Sequence, residues 1–130
     1  MTISVPIICA GALALLLFAL SIAITGLRLR SHVLVGAPDD PTSPLTKLVR
    51  AQANTAEYAA VLLVLFLWLD FRHAGAVSQG LMILAVVGRY LFAAGMLLSP
   101  SIARPNPVRA IGAAATYAGG VGLSIALLAS

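Results

Sequence analysis

The charges in this sequence leave four apolar stretches almost untouched. No charged residue occurs from Met1 to Leu27. Only Glu57 interrupts the run between Arg50 and Asp70, only Arg89 interrupts the run from Ala74 to Ala103, and none follows Arg109. A helix needs about 20 mostly apolar residues to cross a bilayer. A chain of 130 residues with these runs has room for four spans and little else. The predicted fold class is all-α, an integral membrane four-helix bundle in one domain covering residues 1–130.

Composition excludes a soluble domain. Charged residues make up 9% of the chain, against roughly 25% in a soluble protein. The net charge of +4 is not a nucleic-acid signal, because the basic residues sit at helix ends, where they set orientation or bind anions. One cysteine, Cys9, makes neither an internal disulfide nor a metal site. It reads as a small buried apolar residue. The opening segment lacks a basic region and its apolar stretch is long, so it reads as a retained first helix rather than a signal peptide.

Turn residues divide the runs. The expected helices cover about 5–30, 44–70, 78–98 and 107–129. Gly36, Pro38, Asp39, Asp40 and Pro41 mark the first connection. Asp39 and Asp40 read there as a solvated pair, not a metal site. Ser43 and Pro44 fit the N-cap and first position of the second helix. Ser99-Pro100 and Arg104-Pro105-Asn106-Pro107 form the third connection. Arg28, Arg30, Lys47 and Arg50 flank the first connection, Arg104 and Arg109 the third, while the second has only Arg72 beside Asp70. The positive-inside rule then puts the first and third connections in the cytoplasm and both termini outside, in the periplasm if the membrane is a bacterial inner one. In the fourth helix Gly112, Thr116, Gly120 and Ser124 form a small-residue stripe, the pattern of a packing seam within the bundle or between subunits.

The polar residues inside the spans are the functional signal. Ionisable groups in a membrane are costly and normally paired or functional. Arg50, Asn54 and Glu57 step by four and three, so they share one face of the second helix, with Tyr58 at its border. A guanidinium, an amide and a carboxylate at about one-turn intervals suit a zwitterionic or peptide-like ligand. Arg89 lies mid-helix among apolar residues, and Glu57 is the one carboxylate expected to reach it. The spacing predicts an Arg89–Glu57 contact, which either locks the bundle or serves the polar site.

These residues carry a resemblance. Arg50-Ala51-Gln52-x-Asn54-x-x-Glu57-Tyr58 resembles the second-helix motif of the membrane-associated proteins in eicosanoid and glutathione metabolism (MAPEG), in the version of its leukotriene C4 synthases. Gly88-Arg89-x-x-Phe92-x-x-Gly95 resembles the family's third-helix motif, and Thr25 to Arg30 its basic end of the first helix. The resemblance spans all four helices and fits a bacterial-type member. It implies a homotrimer in the lipid bilayer, with glutathione bound between subunits near the cytoplasmic face as co-substrate and no metal. It implies that Arg50, Asn54, Glu57, Tyr58 and Arg89, with Arg28 and Arg30, hold glutathione. An arginine at the start of the fourth helix stabilises the thiolate in the family's synthases; Arg109 fits best and Arg104 is the second candidate. The implied activity is a glutathione transferase or peroxidase acting on lipophilic small molecules.

Two positions depart from the family. Phe92 stands where His or Tyr is usual, and Met96 where many members have Tyr. Phe92 cannot hydrogen-bond, and two polar contacts near the ligand are expected to be missing. They favour a second reading, a non-catalytic lipid- or glutathione-binding scaffold. A small four-helix exporter is a third, but such exporters carry a carboxylate in their first helix and this chain has none there.

Overall fold

A computed structural model describes residues 3–130. Four helices follow one another: α1 (Val5–Ser31), α2 (Pro44–Phe71), α3 (Ala76–Leu98) and α4 (Pro107–Leu128). Each is long and apolar enough to cross a membrane. A helix satisfies its own backbone in hydrocarbon, which is why such segments span as helices. Apolar side chains such as Leu15, Phe18, Ile22, Val64 and Val121 are exposed on the bundle, as a surface facing lipid or another apolar surface allows. The molecule is a multi-pass membrane protein.

Local chemistry fixes the helix ends. Ser43 Oγ accepts from the Thr46 amide at 3.5 Å, and Pro44 opens α2. Asn106 Oδ1 accepts from the Arg109 amide at 3.1 Å, and Pro107 opens α4. The α1 helix ends on His32 with φ of 57°. Its Arg28 Nη1 donates to Val33 O and Gly36 O, which draws the first connection back over the helix end. Asp40 Oδ1 accepts from the Thr42 hydroxyl and amide. These bonds, led by the hydroxyl, hold the Asp40 carboxyl below the usual carboxylate range. The Ile102 amide donates to Pro41 O at 3.0 Å and ties the first connection to the third.

The helices pack in sequence, α1 on α2, α2 on α3 and α3 on α4, with α3 also against α1. One core cluster joins Leu13, Leu62, Phe66, Met82 and Leu123. A second joins Leu16, Leu20, Ala51, Ala93 and Met96, nearer the first and third connections. The α3–α4 contact is the closest. A β-carbon on Gly88 would lie 2.8 Å from both Gly112 O and the Thr116 amide, so both backbones need the bare glycine. The small-residue stripe meets α3 only at its start. Gly112 and Thr116 are buried, and Gly119 then replaces Gly120 in the seam, while Ser124 is exposed. Steps of four residues overrun the helical turn by about 40° each, so a strict stripe rotates off its partner.

Candidate functional site

The polar face of α2 opens on a cavity at the end of the bundle that carries the first and third connections. Arg50, Ala53, Asn54 and Glu57 line it from α2, Phe92 and Met96 from α3, and Arg109 from α4. Its volume is about 200 Å³. Arg50 and Glu57 are exposed, Asn54 is half-buried and Met96 is buried. Three helices thus bring two guanidinium groups, an amide and a carboxylate onto one small space.

Arg109 is held by backbone carbonyls and a thioether rather than by a carboxylate. Its Nη1 donates to Ile102 O at 3.0 Å and to Met96 Sδ at 3.7 Å, and its Nη2 donates to Arg104 O at 3.2 Å. A guanidinium has five N–H donors, so these contacts orient it without spending it. Arg104 is exposed, and its carbonyl, not its side chain, is what meets Arg109. Of the two candidates, only Arg109 lines the cavity.

Arg89 does not meet Glu57 as its charge suggested. Its Nη2 donates to Asn54 Oδ1 at 2.6 Å. The guanidinium carbon lies 4.9 Å from the Tyr58 ring centre and 4.7 Å from that of Phe92. A desolvated cation between two ring faces gains about 2 kcal/mol or more per face. Two rings and an amide oxygen therefore do what a carboxylate was expected to do. Arg89 is only 1% exposed and sits behind the cavity wall, with its Nε unpaired.

The remaining predicted residues divide between two other places. Tyr58 lines a separate apolar groove of about 290 Å³ between α2 and α4, with Val61, Leu65, Tyr117 and Val121 among its walls. The Tyr58 and Tyr117 ring centres are 6.0 Å apart. Tyr117 comes from α4, and no local sequence motif marks it. Arg28 is spent on the first connection, and Arg30 is exposed at the end of α1. Neither lines the cavity within one chain. Gln52 turns from the polar face to α1, where its Nε2 donates to Ser21 Oγ at 3.4 Å.

A larger groove of about 600 Å³ adjoins the cavity. Phe92 and Arg109 belong to both, and Ala103, Pro105, Pro107, Ala110 and Ala113 make the groove's walls mostly apolar. A polar and an apolar compartment thus meet at one guanidinium.

The sequence model of the MAPEG family matches residues 6–129. The chain belongs to the MAPEG family. That match covers all four helices and every residue of the cavity. Among curated proteins, no individual sequence matches the chain. Within this MAPEG protein the family motif of α2 supplies the cavity's polar wall, while α3 and α4 supply Phe92, Met96 and Arg109.

Proposed function

We propose that this protein is a membrane-bound, glutathione-dependent transferase or peroxidase acting on lipophilic electrophiles. One observation carries the reading: Arg50, Asn54 and Glu57 converge with Arg109 on a single cavity that adjoins an apolar groove. The donor set fits glutathione, which offers two carboxylates, an ammonium, two amides and a thiol. Arg50 suits a carboxylate, Glu57 the ammonium and Asn54 a backbone-like carbonyl. Arg109 faces the thiol.

Chemistry needs the thiolate, and an ordinary thiol has a pKa of about 8.5. A guanidinium stays charged at any working pH and favours the anion. The Arg109 donors left free by its backbone contacts hold the sulfur while the proton passes to water. The thiolate then attacks the electrophilic carbon of a molecule in the groove, forming a C–S bond. The displaced electron pair leaves with the departing group, or collects on an epoxide oxygen that water protonates. With a hydroperoxide, sulfur attacks the terminal oxygen, the O–O bond breaks and the alcohol leaves. A second glutathione then converts the sulfenic acid to the disulfide and water.

The working unit is proposed to be a homotrimer. The cavity of about 200 Å³ is lined by α2, α3 and α4 of one chain and is open on its remaining side. A neighbouring subunit is proposed to supply the wall on that open side. Arg28 and Arg30, remote from the cavity in their own chain, are the basic residues proposed to complete it there. The basic first and third connections, tied by the Ile102–Pro41 bond, then face the cytoplasm, and the termini face the periplasm of a bacterial inner membrane.

A second reading is a glutathione- or lipid-binding scaffold without catalysis. It is favoured by Phe92 and Met96, which line the cavity and offer it no strong donor. Titrating the detergent-purified protein with glutathione while following thiolate absorbance separates the two. A thiolate signal that vanishes in Arg109→Ala supports the enzyme. Binding without a thiolate supports the scaffold, and no binding at millimolar glutathione overturns both glutathione readings.

A further inference from the structure

Among the described residues, Arg89 is the largest fully buried side chain. It is a cation in the apolar interior with one side-chain hydrogen bond, to Asn54, and an unpaired Nε. A bundle that needed only packing would be served by an apolar side chain there. The arrangement has one consequence at the cavity. Guanidinium groups donate and never accept, so the Asn54 atom facing Arg89 must be its oxygen. The Asn54 amide nitrogen is then left for the cavity that Asn54 lines.

We propose that Arg89 is a positioning residue rather than a ligand contact: clamped between Tyr58 and Phe92, it locks the Asn54 side chain so that Asn54 presents a hydrogen-bond donor to the bound peptide. Phe92 has a matching part. Its ring stacks on Arg89 at 4.7 Å and also lines the cavity. The aromatic face keeps Arg89 in place without competing for its N–H groups, as a phenol or imidazole acceptor in that position could. The site therefore selects a ligand that offers an acceptor to Asn54, a carbonyl or carboxylate, over one that offers a donor.

The inference rests on the glutathione reading, and the test keeps the two apart. Binding of S-methylglutathione to the detergent-purified protein is measured by calorimetry. If the unaltered protein does not bind it, the glutathione reading fails and this inference with it. If it binds, Asn54→Leu is expected to weaken affinity about tenfold, the loss of one hydrogen bond. Arg89→Met is expected to weaken it three- to tenfold, as the amide becomes free to turn. The double variant decides: affinity equal to that of Asn54→Leu alone supports the proposal, and losses that multiply overturn it while leaving the glutathione reading intact. Should Arg89→Met fail to fold, Phe92→Leu replaces it in the cycle. Phe92→Leu should weaken S-methylglutathione affinity three- to tenfold, and should weaken it no further when combined with Asn54→Leu. Unchanged affinity in Phe92→Leu overturns the clamp.

Discussion

The backbone of Arg109 rests against Gly95. A β-carbon at Gly95 would lie 2.5 Å from the Arg109 amide nitrogen and 2.8 Å from its Cα. That approach brings the first turn of α4 down onto α3, and with it the guanidinium onto Met96 and the cavity. The glycine is thus part of how Arg109 is aimed, at a distance from any ligand.

Gly95→Val should therefore displace α4 at its start. Overpacking of this kind costs about 1–3 kcal/mol, read as a lower melting temperature in detergent. Activity should fall further than stability, because the guanidinium moves with the backbone. Gly120→Ala is the control: a β-carbon there meets nothing within 4 Å, so melting temperature and activity should both hold. Equal damage from the two changes would remove the special role of the Gly95 contact.

Asn106 acts on the same turn. Its side chain caps the Arg109 amide, and losing such a cap costs about 1 kcal/mol. Asn106→Ala should lower stability by that amount, and Asn106→Asp should retain it. Thermal denaturation of the three proteins at one detergent concentration measures the difference.

Arg109 and Arg104 separate by chemistry. Removing a preorganised donor from a developing or resident anion costs on the order of a hundredfold in kcat. Arg109→Ala should show that loss, and Arg104→Ala should not, since only its carbonyl meets the site. The pH profile carries a sign as well. With the guanidinium on the proposed glutathione sulfur, the thiolate should persist below the ordinary thiol pKa, so the rate should hold as pH falls below about 8.5. In Arg109→Ala the pKa returns toward that value, and the rate should decline as pH drops through it. A profile unmoved by Arg109→Ala would take this residue off the sulfur.

The ends of the helices were legible in the sequence because their chemistry is local. Ser43 caps and Pro44 opens α2, and Pro107 opens α4, as their residue types require. The polar wall from Arg50 to Glu57 was legible for the same reason, being one face of one helix. The partner of Arg89 was not. Charge alone pointed to Glu57, yet Asn54, nearly one turn earlier, is what α2 presents to α3. The rings of Tyr58 and Phe92 supply the rest of the compensation from two different helices. The α3–α4 seam was half legible, because a stripe of four-residue steps shows which residues are small but not where the helix rotates them out of contact.

Orientation gives a test independent of ligand. The first connection is proposed to face the cytoplasm and the second the opposite side. With Cys9→Ser as background, Asp39→Cys should react with an impermeant thiol reagent only from the cytoplasmic side. His73→Cys, beyond α2, should react only from the other. Labelling of both from one side would contradict a four-span arrangement, and reversed labelling would invert the proposed site.

Glu57 tests which end of the ligand lies where. It is the one carboxylate lining the cavity, and it is exposed there rather than bonded to Arg89. Among the described residues it has no charged partner, and the partner proposed for it is the ammonium of glutathione. Hydrogen bonds to charged groups contribute about 1.5–3 kcal/mol, so Glu57→Gln should raise the KM for glutathione about ten- to a hundredfold. The thiolate is proposed to lie toward Arg109, not Glu57, so kcat at saturating glutathione should change little. Glutathione lacking its amino group should bind the unaltered protein and Glu57→Gln alike, since the contact being removed no longer exists. A fall in kcat at constant KM would instead put Glu57 beside the reacting sulfur and reverse the proposed direction of the peptide in the cavity.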